Sequence, residues 1–299
     1  MVKRTLYFGN PAYLKTKTEQ LIIERPDVDE CRSIPIEDIG LLILDHIQIT
    51  ITAGLIAKLL ENNVAIITCN STHHPTGLML NLDGNSLQSQ KFKAQLESSQ
   101  PLRKQLWQQT ITAKILNQAA LLKKNGKEAH YLLNLGKQVN SGDSGNCEAK
   151  AASYYWKRVF SGIPEFRRDR FGFPPNNLLN YGYAILRALM ARSLVGSGLL
   201  PTLGIFHRNQ YNAYCLADDI MEPYRPFVDM IVGNLITQKK EAFDLTPAIK
   251  KELLTIPAMD VVIDNQKSPL MNAIQRTTAS LSRCFEGEIR KILYPSLAG

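Results

Sequence analysis

Asp83-Gly84-Asn85 divides this chain, because the apolar residues follow one period before it and another after it. Upstream, Leu6-Tyr7-Phe8, Gln20-Leu21-Ile22-Ile23, Gly40-Leu41-Leu42-Ile43-Leu44 and Val64-Ala65-Ile66-Ile67-Thr68 are short apolar runs with frequent β-branched residues. Turn formers separate them at Gly9-Asn10-Pro11, Pro26-Asp27 and Gly40. Short runs of this kind, with side chains stiff at χ1, fit extended strands. One helix interrupts them, where Ala53, Ile56, Ala57, Leu59 and Leu60 form an apolar stripe that ends at Asn62-Asn63.

Downstream the period becomes helical. Pro101 suits a first helical turn, where its missing N–H has no partner to lose. Leu102, Leu106, Ile111, Ile115 and Leu116 follow as apolar positions, with Arg103, Lys104 and Lys114 on the other face and a stop at Asn125-Gly126. Further helices are expected near 144–161, 176–195, 211–232 and 270–293. The expected class is α+β: a small β-rich N-terminal domain over 1–85, then a larger all-α C-terminal domain over 86–299.

The 299 residues are 44% hydrophobic and 21% charged, which suits a globular chain with a sizeable core rather than a disordered one. No run of 18 apolar residues marks a membrane-spanning helix. The opening residues lack the long apolar stretch of a secretory signal, and a cytoplasmic location is expected. Cys31, Cys69, Cys147, Cys215 and Cys284 are scattered and form no CxxC pair, so a zinc ribbon or a dithiol redox motif is not expected.

The net charge of +8 is unevenly distributed. Residues 1–87 hold 7 basic and 10 acidic side chains, residues 88–192 hold 17 and 6, and residues 193–299 hold 11 of each. A positive field concentrated in the middle third suits either a polyanion such as nucleic acid or a solvated helical surface. Arg167, Arg168 and Arg170, beside Phe171 and Phe173, are candidates for contacts with DNA backbone or bases. They equally suit a turn paired with Glu165 and Asp169.

Two segments hold candidate chemistry. In Ser144-Gly145-Asn146-Cys147-Glu148 a helix begins, with Asp143 or Ser144 available as its cap. Glu148 is one turn in, and Ala151 and Ala152 leave room above its carboxylate. Such a glutamate serves either the helix dipole or a ligand site. In the second segment, His207 precedes an acidic helix bearing Asp218, Asp219 and Glu222. On one straight helix His207 and Glu222 would stand about 22 Å apart. They meet only if the chain turns back, which Gly204 and Asn209 permit. Pro223 cannot donate to the carbonyl of Asp219, so the helix loosens beside Glu222.

Four elements occur in order: Gly145-x-x-Glu148-x-x-Ala151-Ala152-x-x-Tyr155-Trp156, Asn180-Tyr181-Gly182-Tyr183-Ala184, Gly198-Leu199-x-Pro201-x-x-Gly204-x-x-His207, and Glu222-Pro223-Tyr224-Arg225-Pro226-Phe227-Val228-Asp229. Together they resemble the CRISPR-associated adaptation integrase family, which inserts new spacers into a CRISPR array. The resemblance spans nearly the whole chain. It implies that Glu148, His207 and an acid within 218–222 are the metal ligands and catalytic residues. Glu222, immediately before Pro-Tyr-Arg-Pro, matches the type II branch, with Asp219 as its competitor or its support.

The same resemblance implies manganese or magnesium (Mn2+ or Mg2+) as cofactor, with carboxylates and one imidazole as ligands. The attacking group would be the 3′-hydroxyl of a short double-stranded DNA fragment, and the target the CRISPR repeat. Such a transesterification needs no ATP, in keeping with the absence of a GxxxxGK[ST] loop. It further implies a homodimer using the β-rich domain for dimer and partner contacts, a small second adaptation protein, and a prokaryotic cytoplasm. An endonuclease using water as nucleophile would share these residues, and a DNA-binding subunit with an inactive site is the third alternative.

Overall fold

The computed structural model describes residues 3–26, 28–238 and 244–297. The expected turn at Pro26-Asp27 therefore lies partly outside the described residues. Among these, the first part contains β1 (Arg4–Phe8), β2 (Ala12–Lys17), β3 (Gln20–Arg25), β4 (Val28–Pro35), β5 (Ile39–Leu44), β6 (Ile49–Ile51), α1 (Ala53–Glu61), β7 (Ala65–Cys69) and β8 (Pro75–Met79). One sheet runs β1-β5-β7-β8, parallel except for the antiparallel last pair. The other runs β4-β3-β2-β6, antiparallel except for β2 with β6.

The apolar runs of β5 and β7 follow from burial on both faces, as parallel strands require. Leu42 and Ile66 point into a core with Leu14, Leu21, Leu55 and Leu59. Their neighbours Leu41, Ile43, Ala65 and Ile67 point the opposite way and join the core of the helical part. The change of period at Asp83-Gly84-Asn85 falls between β8 and the first downstream helix, yet the hydrophobic core is continuous across it. Strands β2 and β4 escaped the sequence reading because they are polar at many positions. In Ala12–Lys17 only Ala12 and Leu14 are buried.

The helical part comprises α2 (Gln88–Leu96), α3 (Gln100–Lys124), α4 (His130–Gln138), α5 (Cys147–Val159), α6 (Asn176–Gly196), α7 (Cys215–Ile220), α8 (Arg225–Gln238), α9 (Pro247–Leu253), the hairpin β9 (Asp260–Ile263) with β10 (Gln266–Pro269), and α10 (Leu270–Phe285). The hairpin is an addition to the all-α expectation for this part. Ser99 caps α3 by accepting from the Leu102 N–H, with Pro101 in the first turn as expected. Helix α6 is buried almost all round and packs against β7, β8, α7, α8 and α10, so it is the central strut. The helix expected over 211–232 breaks into α7, a 3-10 turn over Glu222–Tyr224, and α8. Pro223 lies at the break, where it supplies no N–H to the ladder. Among the described residues no helix is long and apolar enough to cross a membrane.

Candidate active site

The first turn of α5 presents Glu148. Asp143 caps this helix with both carboxylate oxygens, accepting from the Cys147 N–H at 2.8 Å and the Glu148 N–H at 3.0 Å. Glu222 comes from the 3-10 turn, whose position is fixed by buried Asn117 of α3. The Asn117 amide donates to the carbonyl of Pro223 at 2.8 Å and to that of Pro295 at 3.0 Å. Helix α3 also supplies Lys114, whose ammonium donates to Glu148 Oε1 at 2.7 Å and stands 2.6 Å from Glu222 Oε2. One cation thus draws together two carboxylates from different parts of the chain.

Lys114 escaped the sequence reading, which placed it on a charged face. It is buried, and its ordinary amine range is shifted upward. Desolvation opposes the charge, but Glu222 and then Glu148 outweigh it. A signal was present. Trp107, Ile111, Lys114, Gln118 and Leu121 recur at heptad-like spacing, and all are buried, so Lys114 lies on the inward stripe of α3.

Glu222 is almost fully buried. Burial raises its pKa, but Arg225, with Nε 2.8 Å from Oε1, and then Lys114 hold the carboxyl down at about 2. Lys114 pairs with Oε2 at 2.6 Å, so both oxygens of the Glu222 carboxylate face a cation.

His207 enters from the loop before α7. The charges of Glu222 and Glu148 act at its ring, as smaller contributions than that of Asp219. Asp219, fully buried, engages Nδ1 of His207 and accepts the Phe206 N–H at 2.9 Å. The hydrogen bond to Asp219 raises the pKa of His207 above its ordinary value. Burial raises that of Asp219 in turn, partly offset by His207 and the backbone donors. Trp107 packs edge-on to the His207 ring at 5.6 Å and stacks on Phe206 at 4.3 Å. Gly204 permits the close turn, since a Cβ there would lie 2.7 Å from Asp219 Oδ2. The neighbouring Asp218 is committed elsewhere, to Arg187 at 2.6 and 2.9 Å and to Asn212 at 2.8 Å.

Behind Glu222 lies a second buried acid. Asp229 accepts from the hydroxyls of Tyr155, at 2.7 Å, and Tyr183. Burial pushes its carboxyl up to about 6, although both hydroxyls and Arg225 favour the charged form. Arg225 in turn lies over the ring of Tyr183 at 4.6 Å.

The donor chemistry suits a hard divalent ion: two carboxylates that already share a cation, and an imidazole whose Nδ1 is engaged so that Nε2 is left for a ligand. Among the described residues no three Asp, Glu, His or Cys side chains are grouped closely enough to cage an ion. The Lys114 ammonium stands between the carboxylates instead.

Of the expected DNA-binding arginines, Arg168 is held within its own loop. It donates to Asn176 Oδ1 at 2.9 Å, Asn180 Oδ1 at 2.7 Å and the carbonyl of Asp169. Asn176 and Asn180 also hold the carbonyls of Arg167 and Arg170, at 2.9 and 2.7 Å. This frame leaves Phe171 and Phe173 each 91% exposed. The loop borders a cavity of about 550 Å³ lined by Arg168, Arg170, Phe171, Tyr183, Arg187 and Arg225, so the cavity reaches the guanidinium that pairs with Glu222. On the His207 side a depression of about 400 Å³ is lined by Arg103, His207, Arg208 and Asn209. A larger open hollow of about 680 Å³ on α2 shares no residue with the carboxylate site.

Comparison with known proteins gives concordant findings. A family model described as CRISPR associated protein Cas1 matches residues 6–264. The chain is 38% identical over 282 residues to the CRISPR-associated endonuclease Cas1 of Neisseria meningitidis serogroup C (strain 8013), covering 94% of this chain and 91% of that one. In fold it is similar to a casposase bound to integration product, with a TM-score of 0.78 at 22% identity over 97% of this chain and 92% of that one. It is also similar to a chain of a Cas6-RT-Cas1–Cas2 complex, with a TM-score of 0.73 at 20% identity, covering 97% of this chain and 36% of that longer one.

Proposed function

The chain belongs to the CRISPR-associated Cas1 family, and from that premise we propose that it is a metal-dependent DNA integrase of CRISPR adaptation. It joins the 3′-hydroxyl ends of a short double-stranded fragment to the CRISPR repeat. The observation that carries this reading is the convergence of Glu148 and Glu222 on one cation. The casposase neighbour bound to integration product supports joining as the reaction type.

In this reading Glu148, Glu222 and His207 would hold Mn2+ or Mg2+. When bound, such an ion supplies Lewis-acid stabilisation of charge developing on phosphate oxygens. The chain's own residues do the rest. Asp219 sets the His207 ring so that Nε2 faces the site, and Trp107 limits its rotation. Arg225 keeps Glu222 ionised, and a carboxylate binds only in that form. The bond to the incoming 3′-oxygen forms as the bond to the 3′-oxygen of the target strand breaks, so the number of phosphodiester bonds is unchanged. Neither a protein nucleophile nor ATP is required.

The arginine-lined cavity, whose Arg225 pairs with Glu222, and the His207-side depression are the two surfaces assigned to the fragment end and the target strand. Arg167 and Arg170, with Phe171 and Phe173 beside them, serve as DNA contacts, while Arg168 mainly frames the loop. The working assembly is a homodimer, through the β-rich part, joined to the small second adaptation protein in the prokaryotic cytoplasm. The Cas1–Cas2 neighbour supports such a partner.

The alternative is hydrolysis by water, favoured by the word endonuclease in the name of the Neisseria relative. A labelled duplex with free 3′-hydroxyls, a supercoiled repeat target, Mn2+ and the partner protein separate the two. Integration gives covalently joined products that vanish when the fragment carries 3′-dideoxy ends. Cleavage that continues with dideoxy ends, without joining, supports hydrolysis and contradicts the proposal.

A further inference from the structure

Resting on the reading of Glu148 and Glu222 as metal ligands, we propose that Lys114 is a resident cation that holds this carboxylate pair until DNA arrives. It then moves to a DNA phosphate, so that the divalent ion and DNA bind cooperatively. Lys114 is thus a positioning residue for the metal site.

Charge balance is the first argument. Glu148 and Glu222 are matched by Lys114 and Arg225, and the cluster is well buried, with side-chain exposures of 25%, 8%, 11% and 23% respectively. A divalent ion entering this cluster adds two positive charges to a set that is already neutral, in a medium that screens poorly. The same ion also needs the space between the carboxylates where the Lys114 nitrogen lies, 2.7 Å from one and 2.6 Å from the other.

The second argument is the difference between the two cations. Arg225 is fixed by the Tyr183 ring as well as by Glu222. Among the described residues Lys114 makes ion pairs with the two carboxylates alone, through a flexible four-carbon stem with three rotatable donors. A phosphodiester brought to the site supplies the anion that Lys114 needs on leaving and offsets the charge of the incoming metal. DNA therefore lowers the cost of metal entry, and by linkage the metal tightens DNA binding by the same factor.

A lysine that only braced the site would behave differently. Its removal would weaken both folding and metal binding. Removal of a resident cation weakens the metal-free fold but strengthens metal binding.

The test is Mn2+ binding followed by electron paramagnetic resonance on the full chain, alone and with a short duplex, after subtracting Mn2+ bound by the duplex itself. In the wild-type protein DNA raises Mn2+ affinity by about tenfold or more. In Lys114→Gln, affinity without DNA rises by about tenfold, and the added effect of DNA falls below about threefold. Lys114→Arg, which keeps a cation, stays at the weak wild-type affinity without DNA. Unchanged or weaker Mn2+ binding by folded Lys114→Gln overturns the proposal. If that variant does not fold, the wild-type protein alone decides, because equal Mn2+ affinity with and without DNA also overturns it. Glu148→Gln separates the two levels of argument: undiminished Mn2+ binding there would remove the metal-site reading itself.

Discussion

The fully buried carboxylate of Asp219 engages Nδ1 of His207 and also accepts the N–H of Phe206, so it faces the imidazole and the backbone of the same loop. Glu222, by contrast, faces cations with both oxygens, Arg225 at Oε1 and Lys114 at Oε2, and shares Lys114 with Glu148. The two acids that competed as third ligand in the sequence therefore occupy different chemical positions. Glu222→Ala is expected to reduce joining to background, while Asp219→Ala lowers metal affinity by about 10- to 100-fold and leaves residual joining. Mn2+ titration of joining rates compares them. The opposite ranking would move the ligand assignment to Asp219.

Gly204 is confined by the same carboxylate. A methyl group there would collide first with the His207 backbone carbonyl oxygen and then with Asp219 Oδ2, at 2.7 Å. Gly204→Ala is expected to lose about 1–3 kcal/mol of stability and to impair joining through a displaced His207. Thermal unfolding and the joining rate measure the two effects. Wild-type values for both would show that the loop is not set by this approach.

Asp229 gives a pH dependence of stability. Its folded value of about 6 lies above the unfolded value near 3.9. The folded state therefore binds the extra proton between these values, and stability falls as pH rises through about 6. The contribution is fully present below about pH 4 and amounts to about 3 kcal/mol. Urea unfolding from pH 4 to pH 7 is expected to show a decline in the wild-type protein that is absent in Asp229→Asn. Parallel curves would rule this out.

Phe171 and Phe173 stand in solvent on a loop framed by Asn176 and Asn180. Replacing both by Ala is expected to leave the unfolding midpoint unchanged and to weaken binding of DNA with single-stranded ends, by about 1–3 kcal/mol for each base stacked. Equal affinity of the double variant and the wild-type protein would remove these rings from the DNA surface.

Some features were legible in the sequence because one physical cause dominated each. Burial on both faces makes β5 and β7 continuous apolar runs, and Pro101 marks the start of α3. The break at Pro223 follows from one missing N–H. The meeting of Glu148 and Glu222 at Lys114 is not derivable from spacing, since it depends on how α3, α5 and the turn at Pro223 pack. Lys114 was misplaced because a lysine is ordinarily solvated. Only its position in the stripe of Trp107, Ile111 and Leu121 marks it as inward. Strand β2 was missed because it alternates buried and polar positions too briefly to stand out.

The most direct test of the central claim is the joining assay with Glu148→Gln. The substitution removes one charge while keeping size, and it leaves the arginine-lined cavity untouched. With Mn2+, a fragment bearing free 3′-hydroxyls and a repeat-containing target, Glu148→Gln is expected to bind DNA about as the metal-free wild-type protein does and to give no joined product. Joining by Glu148→Gln at the wild-type rate would contradict the central claim.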